Sequence, residues 1–294
     1  PVMAAAKAGA NLFDVNKVYH VKLDKWKDAN EALLDSPNEL RKTWYGAKRY
    51  EPKGVVSSLE SFRSILEQED TQASANYPFP TLDSMAYGIR TGELVLFTAL
   101  EKVGKTEVLR AIEHHLLKST EANIGIIHLE EQEKRSVQGL IGYELSIPVH
   151  LPDSGASVAD QQRALEELVK ADGRLHVYSH YGSDDPNTIL DIVRYLAAVA
   201  KCKYIFFDHI TMLVTGFEGD DERKKLDYIS TRLAMLTKEL DFTLFMISHV
   251  NDAGETRGSR NIGKVADLLV HLERDVRSGS NLTSLWCRGN RFGS

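Results

Sequence analysis

Cysteine is scarce: of 294 residues only Cys202 and Cys287 carry a thiol. They form neither a CxxC pair nor a zinc cluster, which excludes a disulfide-stapled scaffold and points to a reducing, cytoplasm-like compartment. Excess positive charge is missing too. Thirty-six Lys plus Arg against 42 Asp plus Glu leave −6, so a histone-like binder is excluded, although basic groups confined to the channel of a ring are not. No apolar run approaches the ~20 residues of a membrane helix. The opening PVMAAAKAGA has no charged stretch followed by a long apolar core, so a secretory signal is not expected. It also lacks an initiator Met, and the chain is read as a piece of something longer. Repeats and low-complexity tracts are absent. What is present is 43% hydrophobic and 27% charged residues, enough for one large or two modest globular domains.

The pattern changes along the chain. Residues 1–50 are polar and Lys-rich, with strand-like alternation at Val18–Leu23 and a short helix at Lys27–Leu34. Residues 51–80 read as a linker. Apolar residues at Val56, Leu59, Phe62, Ile65 and Leu66 predict a helix over Val55–Gln68 capped by Ser57 or Ser58, and Tyr77-Pro-Phe-Pro80 is expected to bar a regular helix. From 81 to 294 strands alternate with helices. The strands are expected at Leu94–Ala99, Ile124–Leu129, Leu175–Ser179, Tyr204–Phe207, Thr243–Ser248, Leu268–His271 and Thr283–Cys287. Helices are expected at Lys105–Lys118, Ala159–Lys170, Pro186–Ala200 and Asp221–Leu240. Continuous apolar strands in such alternation predict an α/β domain with a mainly parallel sheet.

Chemistry enters at strand ends. Ala99-Leu-Glu-Lys-Val-Gly104-Lys105-Thr106 lies between an apolar strand and an amphipathic helix. It matches the phosphate-binding pattern G-x-x-x-x-G-K-[ST] with Ala for the first Gly, a change that is tolerable if Ala99 keeps a negative φ. Backbone N–H groups around Gly104 cradle phosphate, Lys105 reaches the β and γ phosphates, and the Thr106 hydroxyl takes Mg²⁺. Tyr204-Ile-Phe-Phe-Asp208 supplies the metal-binding acid at a neighbouring strand end. Ile126-Ile-His-Leu-Glu130-Glu131 supplies a carboxylate to activate water, for which Glu130 is chosen. Glu131 reads as a first-turn residue favoured by a helix dipole. His128 reads as a satisfied core group, and Phe245-Met-Ile-Ser-His249 ends a strand where a γ-phosphate sensor belongs. His114, His115, His176 and His180 have no partners at metal-ligand spacing, so no metal beyond Mg²⁺ is argued.

With these elements in order, the sequence resembles the RecA-like hexameric replicative helicases of the DnaB class, and among them the phage bifunctional primase-helicase and mitochondrial Twinkle branch. The resemblance runs from about residue 54 to the end. It also rests on Leu82-Asp83, Gly88, Gly92-Glu93, Asp208-His-Ile-Thr-Met, Asp221-Glu-Arg-Lys224, Ser248-His249-Val, Thr256-Arg-Gly-Ser259 and Asn290-Arg-Phe-Gly293. It implies a RecA-like P-loop NTPase using Mg²⁺ with ATP or dTTP, Glu130 as catalytic base, and His249 coupling the γ-phosphate to DNA. Arg291 is implied as an arginine finger inserted into a neighbouring subunit, and Arg274 packs on the nucleotide base. Surface arginines remain the plain alternative for both.

Single-stranded DNA contacts are implied for Asn251, Arg257, Arg260 and Lys264. Six copies of that segment would gather positive charge in a channel despite the net −6, whereas a solvated turn is the plain alternative. Trp26-Lys-Asp28-Ala-Asn30-Glu31 resembles the end of a TOPRIM primase domain, against a capped surface helix as the alternative. The helix in 55–68 sits where the family docks a linker on the next subunit. A homo-oligomeric ring, a replisome polymerase and a primase are the implied partners, in a cytoplasm (the host cell's if viral, mitochondrial if Twinkle-like), with no membrane. The function expected is a replicative DNA helicase that couples NTP hydrolysis to translocation and unwinding. Its rivals are a RecA-like recombinase or other ring ATPase, and a nucleotide-assembled replisome scaffold.

Overall fold

A computed structural model describes residues 17–50, 55–56, 58–67, 72–100, 102–178, 186–214, 220–249, 261–274 and 282–293. The chain divides into two units, Pro1–Asp70 and Thr71–Ser294. In the first, β1 (Tyr19–His20) pairs antiparallel with β2 (Lys48–Arg49). The expected strand Val18–Leu23 shrinks to those two residues. Helix α1 (Ala29–Asp35) is capped by Asp28, whose carboxylate accepts from Glu31 N, while Glu31 accepts from Lys27 N. Helix α2 (Pro37–Tyr45) was not foreseen. Helix α3 spans Leu59–Leu66 and is capped by Ser58, shorter than expected; of the two candidate caps, Ser57 lies outside the described residues.

The second unit opens with Tyr77 already in its core and Ala75 bridged to Ile89, so residues 72–80, expected as linker, belong to it. Tyr77–Phe79 stay non-helical as expected, and helix α4 (Pro80–Ala86) starts on the last residue of that stretch. Pro80 takes the first helical position, where its missing N–H would have no partner anyway. Then come β3 (Leu94–Ala99), α5 (Lys105–Ser119), β4 (Asn123–His128), the unforeseen α6 (Glu133–Leu145), α7 (Val158–Val169) and β5 (Leu175–Tyr178). These are followed by α8 (Pro186–Arg194, continued by a π-helical turn to Val199), β6 (Cys202–Asp208), α9 (Asp220–Leu240), β7 (Thr243–His249), α10 (Asn261–Val265), β8 (Leu268–Glu273) and β9 (Ser284–Asn290).

The seven strands lie in the order β5-β4-β6-β7-β3-β8-β9, all parallel except β9, which runs antiparallel to β8. Successive side chains of a strand face opposite sides, and here both sides are covered. Val95, Phe97, Ile124, Ile126, Phe206 and Phe245 pack with α5 residues Leu109, Ile112 and Leu116. Leu94, Leu96, Ile127, Ile205, Phe207, Leu244 and Met246 pack with Leu190 and Val193 of α8 and Leu226, Ile229 and Leu233 of α9. This double burial is why the strands are continuously apolar.

His271 on β8 gives a pH prediction. Its ring is 9% exposed and its Nδ1 lies 3.1 Å from Thr98 Oγ1. Burial, then the charge of Arg288, pushes the imidazole below its ordinary value. A depressed histidine favours the fold above its unfolded pKa, about 6.5, and that contribution is lost as pH falls through the folded value. The urea midpoint of the chain is expected to fall below about pH 6.5, and to fall less steeply in His271→Gln; equal slopes would refute the assignment.

Candidate nucleotide site

Neighbouring strands bring their carboxyl ends together. Reading across β4-β6-β7-β3, the edge carries Glu130, Asp208 with His209, His249, and the loop that enters α5. Ligands of open α/β sheets sit outside this edge. Ala99 is a regular, fully buried strand residue outside the positive-φ region, so its replacement of the usual Gly is structurally neutral. The left-handed turn falls instead on Lys102 (φ 60°) and Gly104 (φ 95°). Nothing lies within 4 Å of a Cβ built on Gly104, so backbone conformation alone calls for glycine there. Gly104→Ala would meet about 1–2 kcal/mol of left-handed strain, and nucleotide affinity is expected to drop on the order of tenfold, read with a fluorescent nucleotide.

Lys105 is buried, 7% exposed. Its ammonium donates to Leu100 O (2.7 Å), Ala99 O (3.5 Å) and His249 Nδ1 (3.0 Å). The loop's own carbonyls thus hold the cation where phosphate would replace them. Thr106 Oγ1 donates to Asp208 Oδ2 at 2.6 Å, with Asp208 buried. A hydroxyl and a carboxylate meeting at a helix N-terminus are the oxygen donors that Mg²⁺ requires, so these residues fit the ion that the family implies.

Glu130 is half exposed, and its carboxylate lies 2.7 Å from His209 Nε2. The other nitrogen of His209 is 2.6 Å from Thr211 Oγ1, so the ring is held from both sides. The rings of His209 and His249 meet edge to face at 4.3 Å. His209 had drawn no role from the sequence, although its place directly after Asp208 at a strand end was the available signal.

Beneath the edge, His128 is buried between Ser136 Oγ (2.9 Å) and Glu113 Oε1 (3.1 Å), as its core reading required. Burial alone would lower this imidazole; the charge and hydrogen bond of Glu113, with Asp208 and Glu131 nearby, hold it above its ordinary value. Glu131 corrects the expectation of a first-turn, dipole-stabilised residue. Helix α6 begins at Glu133 after the cap Gln132, and Glu131 instead pairs with the buried guanidinium of Arg110.

Of the remaining candidates, Arg274 follows β8 at the same carboxyl edge, one strand beyond β3. Arg291 lies at the opposite edge: it follows Asn290, which pairs with Leu268 at the start of β8, and its N–H donates to Asp267 O at 2.9 Å. Its guanidinium bonds Lys264 O and lies 3.5 Å from Asp267 Oδ1. Lys264, exposed on α10, therefore neighbours Arg291 and not the phosphate loop. Asn251, Arg257 and Arg260, the Thr256–Ser259 motif and His180 lie outside the described residues.

A parallel sheet with a phosphate loop after one strand and acids after its neighbours defines a P-loop NTPase of RecA-like architecture. The family model for the DnaB-like helicase C terminal domain matches residues 76–275, and the chain belongs to that family. It is 24% identical to a "DNA helicase/primase" of Enterobacteria phage T3, covering 92% of this chain and 51% of that protein. It is 23% identical to "Replicative DNA helicase DnaB" of Geobacillus stearothermophilus, covering 75% and 52%. The chain thus spans about half the length of these relatives. Among solved structures, an ATPase domain superposes with a TM-score of 0.63 at 17% identity, over 83% of this chain and 93% of that one, a likeness of fold.

Proposed function

We propose that this chain is the motor of a ring-forming replicative DNA helicase that couples NTP hydrolysis to movement along single-stranded DNA. The observation that carries the reading is the convergence of Lys105, Thr106, Asp208, Glu130 and His249 on one sheet edge while Arg291 stands at the other. The six residues of β3 separate the edges, roughly 20 Å at ~3.3 Å per residue. An arginine that far away cannot serve its own phosphate loop, so the site is completed by a second copy of the chain.

ATP or dTTP would enter with its phosphates over the N–H groups of the loop, and Lys105 would exchange its contacts with Leu100 O and Ala99 O for phosphate oxygens. Thr106 and Asp208 would hold Mg²⁺, which when bound neutralises charge on the β and γ phosphates. Glu130, oriented by His209, accepts the proton of the attacking water. His249, which accepts from Lys105, would sense the change when Lys105 moves to phosphate. The segment that follows it, with Asn251, Arg257, Arg260 and Lys264, would carry that change to DNA. Contacts to the phosphodiester backbone give salt-sensitive, sequence-independent affinity. Arg274 would pack on the nucleotide base.

Within the same reading, residues 1–50 are the end of a TOPRIM-type primase domain, the linker helix lies within 51–70, and the motor takes in residues 71–294. The ring is hexameric, and primase and polymerase are its replisome partners. No helix among the described residues is long and apolar enough to cross a membrane, and a host-cell cytoplasm is the proposed compartment. Strand separation of a forked duplex tests the function: NTP-dependent release, abolished by Lys105→Ala, is expected, and the same release without NTP would refute it.

A further inference from the structure

Two imidazoles and a carboxylate crowd together beside the oxygen donors just described. Glu130, His209 and His249 each present one ligand atom, and these atoms lie within 4.8 Å of one another. Two histidines and a glutamate with an open fourth position form a donor set suited to Zn²⁺, with metal–ligand bonds of about 2.0–2.2 Å. Mg²⁺, a hard cation, prefers the oxygens of Thr106 and Asp208. We propose that the nucleotide-free site binds a borderline transition-metal dication of the Zn²⁺ type through Glu130, His209 and His249, and that this ion blocks hydrolysis.

Three observations support it. His209 is already oriented by Thr211 on one nitrogen and faces Glu130 with the other. Its ring and that of His249 are in contact, so the two bases need little rearrangement to share an ion. Glu130 is half exposed, which opens the cluster to solvent. Ordered second contacts of this kind are what raise the affinity of histidine sites.

The arrangement also contains a competitor. Lys105 donates to His249 Nδ1, so that nitrogen must carry a lone pair. A metal on Nδ1 would displace the ammonium; a metal on Nε2 would leave the proton on Nδ1, which could no longer accept from Lys105. Either way, metal binding and the Lys105 contact exclude each other, and nucleotide, by drawing Lys105 to its phosphates, changes the balance. The block on hydrolysis rests on Glu130 being the base; the binding itself does not.

The test is a Co²⁺ titration of the full chain without nucleotide, followed by the visible bands of a four- or five-coordinate ion and their loss on adding Zn²⁺. His209→Gln and His249→Gln are each expected to weaken binding at least ~tenfold, and His115→Gln, outside the cluster, to leave it unchanged. Lys105→Met is expected to bind several-fold more tightly, an outcome that misfolding cannot mimic. Absence of bands, undiminished binding by both histidine variants, or weaker binding by Lys105→Met would overturn the site. Zn²⁺ should then stop hydrolysis at saturating Mg²⁺ and a chelator should restore it. Binding with undiminished hydrolysis would overturn the block, and with it the role of Glu130 as base.

Discussion

Arg291→Ala is expected to lower NTP hydrolysis by about 10³-fold or more while nucleotide affinity stays within a few-fold, because a finger supplied in trans acts on the transition state. Chain topology sets this expectation. Residue 291 follows a strand that runs antiparallel to β8 and ends beside its first residue, the edge away from the phosphate loop. It is also held there. Phe292 packs under the Arg90 guanidinium at 3.7 Å and against Tyr87, Asn290 Nδ2 donates to Met85 O, and Asp267 accepts from the Arg291 backbone. Mixing separates a finger from a structural arginine. Equal amounts of Arg291→Ala and Lys105→Ala subunits, each inactive alone, should regain activity at about a quarter of the interfaces if rings assemble at random. No recovery would mean that Arg291 serves its own chain.

Glu130→Gln carries the second large effect: hydrolysis is expected to fall about 10²–10⁴-fold, the usual contribution of a general base, with nucleotide binding retained. The amide keeps an oxygen near His209 but can no longer take a proton. His209→Gln tests the support instead. It removes the contact to Glu130 at 2.7 Å and the Thr211 anchor, and should lower kcat about tenfold with KM little changed, the range for lost supporting contacts. A Glu130→Gln chain that still turns over at the parental rate would place the base elsewhere.

The strands were legible because burial on both faces leaves a plain mark, an unbroken apolar run, and a polar residue ending each run marks the edge. Lys105, Thr106, Glu130, Asp208 and His249 followed from those ends. Which ends become neighbours depends on the order β4-β6-β7-β3, a property of packing that no local pattern records. That is why His209 was missed: its role comes from facing Glu130 across two adjacent strands. Helix α6 was missed for a local reason. It contains Gly139 and Gly142, poor helix formers, and a Cβ on Gly139 would meet the buried guanidinium of Arg110. Glu131 was misjudged through the same arginine, whose burial recruits an acid from the neighbouring loop. At α4 the proline stretch ends the irregular segment and also begins the helix, because Pro80 suits the first helical position.

At the centre of the proposal stands a motor completed between subunits, powered by NTP hydrolysis and stimulated by DNA. Steady-state hydrolysis of ATP and dTTP across protein concentration, with and without single-stranded DNA, tests it most directly. The expected result is a rate that rises more than linearly with concentration, increases with DNA, and disappears in Arg291→Ala. A rate linear in concentration and indifferent to DNA and to Arg291 would contradict the account and leave a P-loop NTPase that works alone.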